Sequence, residues 1–177
     1  QEALNMFNKA LDAATALGEE GADILQNCKE IIPKILLSMG KDAASSNSFD
    51  EAANFFKQAA AKATEYANNA EVISETASLI SQVMMAKGSS LLNAKKYKEA
   101  ADAYQAIIDS DASNGVAYLR KGMALAAEGS DADAAVEALT KAVENGQADA
   151  AKKQLATLYL KKAVACQKDK DMKGMLE

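Results

Sequence analysis

Residues 81–114 read SQVMMAKGSSLLNAKKYKEAADAYQAIIDSDASN, a stretch of 34 residues whose pattern recurs along the chain. A shift of 48 residues toward the N-terminus superposes Gly88 on Gly40 and Tyr104 on Phe56. The same shift also matches Leu36 with Met84, Leu37 with Met85, Phe49 with Tyr97, Glu51 with Glu99, Ala52 with Ala100, and Ala59 with Ile107. So many matches in one register indicate a chain built from copies of one structural unit.

Further copies of the unit lie on both sides of these two. Upstream, the matching residues are Glu2, Ala3, Phe7 and Ala10; downstream, they are Gly122, Ala135, Leu139 and Ala142. Both ends of the chain cut the unit: residues 1–17 correspond to its second half only, and residues 171–177 read like the opening of another copy. The array is therefore expected to have incomplete units at its two ends.

The unit has the periodicity of paired helices. Between Phe49 and Tyr66, and again between Tyr97 and Ile108, apolar residues recur every three or four positions, which is typical of one helical face. Abundant alanine and a single proline, Pro33, favour helix over strand. The predicted helices are 2–17, 21–46, 49–67, 69–94, 97–110, 115–128, 131–144 and 148–168. Pro33 is expected to kink the second of them.

Glycines recur inside these helices. A glycine in a helix interior costs about 1 kcal/mol relative to alanine, so its recurrence needs a packing reason. Small residues facing each other would let two helix backbones approach closely. The predicted facing pairs are Gly40 with Ala52, Gly88 with Ala100, and Gly122 with Ala135.

Residues 81–114 resemble a tetratricopeptide repeat (TPR) motif. In that register the motif's small eighth position is Gly88, and the matches at its later positions are Leu91, Ala100, Tyr104 and Ile107. The stretch departs from the motif at Met84, Lys87 and Ala112, where tryptophan, leucine and proline are usual. The resemblance implies an all-α, right-handed α-α superhelix of about four stacked antiparallel helix pairs, the first units having extended helices. One domain, 1–177, would comprise units 1–20 (partial), 21–68, 69–114, 115–147 and 148–177 (partial).

The resemblance also implies a binding surface, because the first helices of stacked TPR units line a concave groove. The groove positions of this chain are Leu37, Lys41, Met85, Ser89, Leu92, Leu119, Met123, Lys153 and Thr157. Methionine adapts to irregular partners, and an apolar floor rimmed by lysine and serine suits a peptide or a helix. Some of the groove leucines have an alternative role, that of packing in the interior of the superhelix.

Composition argues against several other function classes. The net charge is −5 and Arg120 is the only arginine, whereas nucleic-acid binders usually carry a basic, arginine-bearing face. The chain has no histidine, and Cys28 and Cys166 lie too far apart in sequence to form a zinc site. Acidic pairs such as Asp131 and Asp133 occur in turns, where they cap helices or face water. No catalytic, metal-binding or cofactor-binding residue is predicted, and no stretch approaches the roughly 20 apolar residues of a membrane span.

These observations predict a non-enzymatic scaffold or adaptor that binds a protein or peptide. Two alternatives stay open: a structural segment of a larger repeat protein that self-associates through its repeat ends, and an accessory substrate-binding module. One TPR subclass grips the acidic C-terminal tails of chaperones with a clamp of lysine, asparagine and arginine. The clamp positions hold Leu37 and Lys41, Met85 and Ser89, or Leu119 and Met123, so chaperone tails are not expected as partners.

Overall fold

The computed structural model describes residues 1–66, 69–129 and 131–174, with side chains in the last helix described as far as residue 167. The helices are α1 (Glu2–Ala16), α2 (Ala22–Ser45), α3 (Phe49–Tyr66), α4 (Ala70–Asn93), α5 (Tyr97–Ser110), α6 (Gly115–Glu128), α7 (Ala132–Glu144) and α8 (Ala148–Gly174). The described ranges contain no β-strand. The all-α prediction is confirmed, and successive helices pack in adjacent pairs, as in a TPR-like helical-repeat fold.

The chain divides into two compact units, unit 1 (residues 1–86) and unit 2 (residues 87–177). In unit 1, α2 packs against both α1 and α3. Its core contains Cys28, Ile32, Leu36, Leu37, Ala43, Ala52, Ala53, Phe56, Ala59, Ala63, Val72 and Val83. In unit 2, α6 packs against α5 and α7, and α7 packs against α8. One core cluster there contains Leu119, Ala135, Leu139, Ala142, Ala151 and Leu158. The assignment of the whole chain to a single domain stays a prediction.

The recurring glycines lie where a first helix touches its second helix. A Cβ atom added to Gly88 would lie 2.5 Å from Cε1 and Cζ of Tyr104, well inside contact distance. The equivalent contacts are those of Gly40 with Phe56 and of Gly122 with Leu139. The packing reason expected for these glycines is thus present, but the side chain resting on each is the large residue of the second helix. The predicted facing alanines, Ala52, Ala100 and Ala135, are themselves fully buried.

The turns that end three of the helices share one geometry. After α4, the Lys96 amide donates to the Leu91 carbonyl at 2.9 Å and the Lys95 amide to the Leu92 carbonyl at 3.0 Å. Lys95 itself is left-handed, with φ of 60°. This is the Schellman arrangement, which satisfies the last carbonyls of a helix. The residues at the equivalent left-handed position after α2 and α7 are Asn47, with φ of 58°, and Gly146, with φ of 86°.

The observed helix ends agree with the predicted ends within a few residues except at the end of α8. A 3-10 turn, Gly18–Gly21, occupies the predicted break between α1 and α2. The prediction that a further copy opens at residue 171 is wrong for residues 171–174, because α8 continues to Gly174. Residues 175–177 lie outside the described part of the chain. Pro33 is buried inside α2, which runs on as one helix.

Candidate partner-binding surface

Unit 1 contains three of the predicted groove residues, and they differ in exposure. Leu37 is 8% exposed and belongs to the core. Lys41 on α2 forms an ion pair with Glu75 on α4, with 2.7 Å between Nζ and Oε1. Both side chains of the pair are about half exposed, so it contributes less than about 1 kcal/mol to stability. Met85 is half-buried. Of the three, Leu37 therefore serves packing and only the other two reach the surface.

In unit 2, the predicted residues on α4 and the N-terminal half of α6 lie close to the core. The Ser89 hydroxyl lies 3.4 Å from the Tyr104 hydroxyl, within reach of a hydrogen bond, and Tyr104 is fully buried. Leu92 is half-buried, while Leu119 is 8% exposed and packs against the residues of α7 and α8. Leu119 therefore packs in the interior, which was the alternative role given above for some of the groove leucines.

The remaining three predicted residues lie on two neighbouring first helices. Within unit 2, α6 contacts α8. Met123 on α6 is half-buried, and Lys153 and Thr157 on α8 are exposed. The Thr157 hydroxyl donates to the Lys153 carbonyl at 3.0 Å, one helical turn away, so this hydroxyl is directed back along its own helix.

Two exposed apolar residues share these helix faces and were missed in the sequence. Val116 lies seven residues before Met123, and Leu160 lies three residues after Thr157, spacings that put each pair on one face. Val116 is 40% exposed and Leu160 is 66% exposed. Arg120, also exposed, lies between Val116 and Met123 in sequence. The helical spacing alone would have found both residues. We call Val116, Arg120, Met123, Lys153, Thr157 and Leu160 the α6–α8 face.

Two carboxylates at the start of α7 have structural partners. The Asp131 carboxylate accepts a hydrogen bond from the Ala134 amide at 2.8 Å and caps α7, as predicted. The Asp133 carboxylate pairs with Lys162 Nζ at 2.6 Å. The hydrogen bond and charge of Lys162 lower the pKa of Asp133, and the same pair raises the pKa of Lys162. These shifts arise from an exposed ion pair, which is ordinary surface electrostatics.

In the part of the chain that the structure describes, no group of three or more cysteine, aspartate and glutamate side chains is placed to hold a metal ion. Both cysteines are free thiols, Cys28 buried and Cys166 exposed. Among the described helices, none is both long enough and apolar enough to cross a membrane.

Comparison with known proteins does not assign the chain to a family. Neither a protein-family model nor a curated protein matches the chain. Among solved structures, it is similar to a chain described as "MamA RS-1 ArsTM double mutant", with 20% sequence identity and a TM-score of 0.47, over 92% of this chain and 86% of that one. Membership of the TPR family stays a prediction that rests on the repeated residues.

Proposed function

We propose that this protein is a non-enzymatic scaffold that binds a protein or peptide, and that the α6–α8 face of unit 2 is its contact surface. The observation that carries the proposal is the exposure of apolar side chains on that face: Leu160 is 66% exposed and Val116 is 40% exposed. Singly exposed apolar residues are normal on protein surfaces. Here they lie, together with Met123, on two helices that contact each other, and exposed apolar side chains on neighbouring helices favour an interaction site.

The charges around this cluster indicate the chemistry of the partner. Arg120 and Lys153 are exposed beside the apolar side chains. A short amphipathic segment would place its apolar residues on Met123 and Val116 and its acidic residues at these two cations. Lys41, Met85, Ser89 and Leu92 are proposed as additional contacts. Leu37 and Leu119 support the surface from the cores and do not touch the partner.

Selection from a displayed peptide library provides the probe, and calorimetry then measures the affinity of a selected peptide. Thr157→Glu places a negative charge on the exposed surface of α8, where it would repel the acidic residues of the partner, and should weaken binding at least about tenfold, the size of one lost interface contact. Met123→Ser, which removes the apolar centre, should do the same. Ala106→Glu, at an exposed position of α5, is the matched control and should bind normally.

If the Thr157 and Met123 variants bind the peptide as tightly as the unsubstituted protein does, the contact surface lies elsewhere. Failure of the selection to yield any saturable ligand would count against the binding function itself. Far-UV circular dichroism of each variant separates a lost contact from a lost fold.

A further inference from the structure

Two asparagines in this chain are followed directly by glycine: Asn114 by Gly115, and Asn145 by Gly146. The main-chain nitrogen of the next residue can attack an asparagine side chain, and glycine hinders this attack least because it has no Cβ. Both sites lie in unit 2, where Asn114 precedes α6 and Asn145 follows α7. Since the two dipeptides are identical, their structural settings decide which of them reacts.

The start of α6 holds Asn114 firmly. Its side-chain oxygen accepts a hydrogen bond from the Ala117 amide at 3.0 Å, and this bond is partly buried. Gly115 is buried, and a Cβ added there would run into the main-chain oxygen of Asn145. The helix itself packs against both α5 and α7. Reaction at Asn114 therefore requires the buried first turn of α6 to open.

The end of α7 holds Asn145 less firmly. Its Nδ2 donates to the Lys141 carbonyl at 2.8 Å, in an exposed position where water can take over the bond. The Gly146 amide lies 3.4 Å from the Val143 carbonyl, which is longer than an ordinary hydrogen bond. Gly146 is exposed, and a Cβ added to it would meet nothing within 4 Å. The main-chain oxygen of Asn145 does lie against Gly115, but fraying of the last turn of α7 releases it without opening α6.

We propose that Asn145 is a deamidation site of the folded protein and that Asn114 is protected by the fold. The Gly146 nitrogen attacks Cγ of Asn145 and forms a cyclic imide. The bond from Cγ to Nδ2 breaks, and Nδ2 leaves as ammonia together with the proton of the Gly146 amide. Water then opens the imide, giving aspartate where it cleaves the new bond to Cγ and isoaspartate where it cleaves the original main-chain bond.

The products change the junction between α7 and α6. Either product puts a negative charge at the C-terminal end of α7, where the helix dipole disfavours it, and removes the donor to the Lys141 carbonyl. Isoaspartate also lengthens the main chain at the point where Asn145 lies against Gly115. Neither asparagine belongs to the α6–α8 face, so deamidation and peptide binding can be tested, and can fail, independently.

The test incubates the unsubstituted chain in mildly alkaline buffer, which favours loss of the Gly146 amide proton, and follows the conversion of amide to acid by mass spectrometry. Trypsin separates the two sites into residues 99–120 and residues 142–152, neither of which contains another asparagine. A digest of the protein before incubation gives the background. In the folded chain, conversion at Asn145 should be at least about tenfold faster than at Asn114, because Asn114 reacts only through local opening of α6. In urea the two rates should become similar.

Asn145→Gln is the matched variant, because the longer side chain keeps the amide but closes the ring poorly. The mass gain of the whole folded chain should nearly disappear in this variant, while circular dichroism stays unchanged. Conversion at Asn114 as fast as at Asn145 in the folded chain overturns the proposal. A mass gain that persists in Asn145→Gln, or a folded chain in which neither site converts while both convert in urea, overturns it equally.

Discussion

Lys95 has a backbone conformation that its side chain disfavours. Its φ of 60° is left-handed, and this region costs a residue with a Cβ about 1 kcal/mol relative to glycine. The position follows α4, where the Schellman turn requires that conformation, and the equivalent position after α7 is Gly146. Lys95→Gly should therefore raise the free energy of unfolding by about 1 kcal/mol, measured by urea titration. Lys95→Ala keeps a Cβ in the left-handed conformation and should not raise the free energy of unfolding. If Lys95→Ala stabilises as much as Lys95→Gly does, the effect comes from the lost charge.

Gly88 presents the opposite case, in which adding a Cβ is harmful. In an unobstructed helix interior, alanine in place of glycine stabilises by about 1 kcal/mol. At this position the new carbon would meet the Tyr104 ring, which is fully buried and has no room to swing away. Overpacking outweighs helix propensity here, so Gly88→Ala should destabilise by about 1–3 kcal/mol in thermal or urea melts.

The same substitution should reverse its sign when Tyr104 is shortened. In a Tyr104→Ala background the obstructing ring is gone, and Gly88→Ala is left with its propensity gain of about 1 kcal/mol. The double-mutant cycle isolates the contact between the two residues. If Gly88→Ala destabilises equally in both backgrounds, the glycine is needed for some reason other than Tyr104.

At the scale of helices, an ion pair links α7 to α8. The pair of Asp133 with Lys162 lowers the pKa of the carboxyl group. It therefore stabilises the fold above the carboxyl pKa of the unfolded chain, and the contribution is lost as the pH falls through the lower folded-state value. Lys162→Gln should raise the pKa of Asp133 toward its ordinary value, as followed by NMR titration of the side-chain carboxyl carbon.

The adjacent Lys161 provides the control for this titration. It is exposed on α8, one residue away and on a different side of the helix. Lys161→Gln should leave the pKa of Asp133 nearly unchanged. Equal shifts from the two variants would mean that Asp133 senses the general positive charge of α8 and not a specific partner.

The sequence predicted the helices well because repetition averages out local ambiguity. Each helix has two or more counterparts with the same apolar spacing, and the turn residues Asn47 and Asn114 mark where one helix ends and the next begins. It did not predict the residue that rests on each glycine, since periodicity gives a face and not the direction of a long side chain. It also placed the end of α8 too early, at residue 168, because residues 171–177 were assigned to the opening of a further copy.

The candidate surface was predicted less fully, for a related reason. A motif position cannot tell whether a side chain reaches the surface or stops at the core, and Leu37 and Leu119 turned out to be 8% exposed. Val116 and Leu160 were omitted although their spacing places them on the same faces. Burial depends on what the neighbouring helices cover, which is information beyond the periodicity of one helix.

The last prediction concerns a class of partner that this molecule should not bind. The clamp that grips chaperone tails in one TPR subclass needs lysine and asparagine on successive first helices, and the matching positions here include the buried Leu37 and Leu119. Arg120 is exposed at the sixth position of α6 but lacks these companions. A terminal carboxylate on this surface would lose water without gaining charged hydrogen bonds. Calorimetric titration with a chaperone C-terminal peptide should show no saturable binding.

The control for this experiment is the peptide selected on the α6–α8 face, which should bind the same preparation. Arg120→Ala discriminates between binding of a terminal carboxylate by a clamp and binding of apolar side chains by the α6–α8 face. Loss of this exposed cation should weaken a peptide with acidic flanks only modestly, because rim charges contribute little to affinity. Saturable binding of the chaperone peptide that disappears in Arg120→Ala would show that Arg120 acts as a clamp residue. The surface would then select carboxylates, and the preference inferred here for apolar side chains would be wrong.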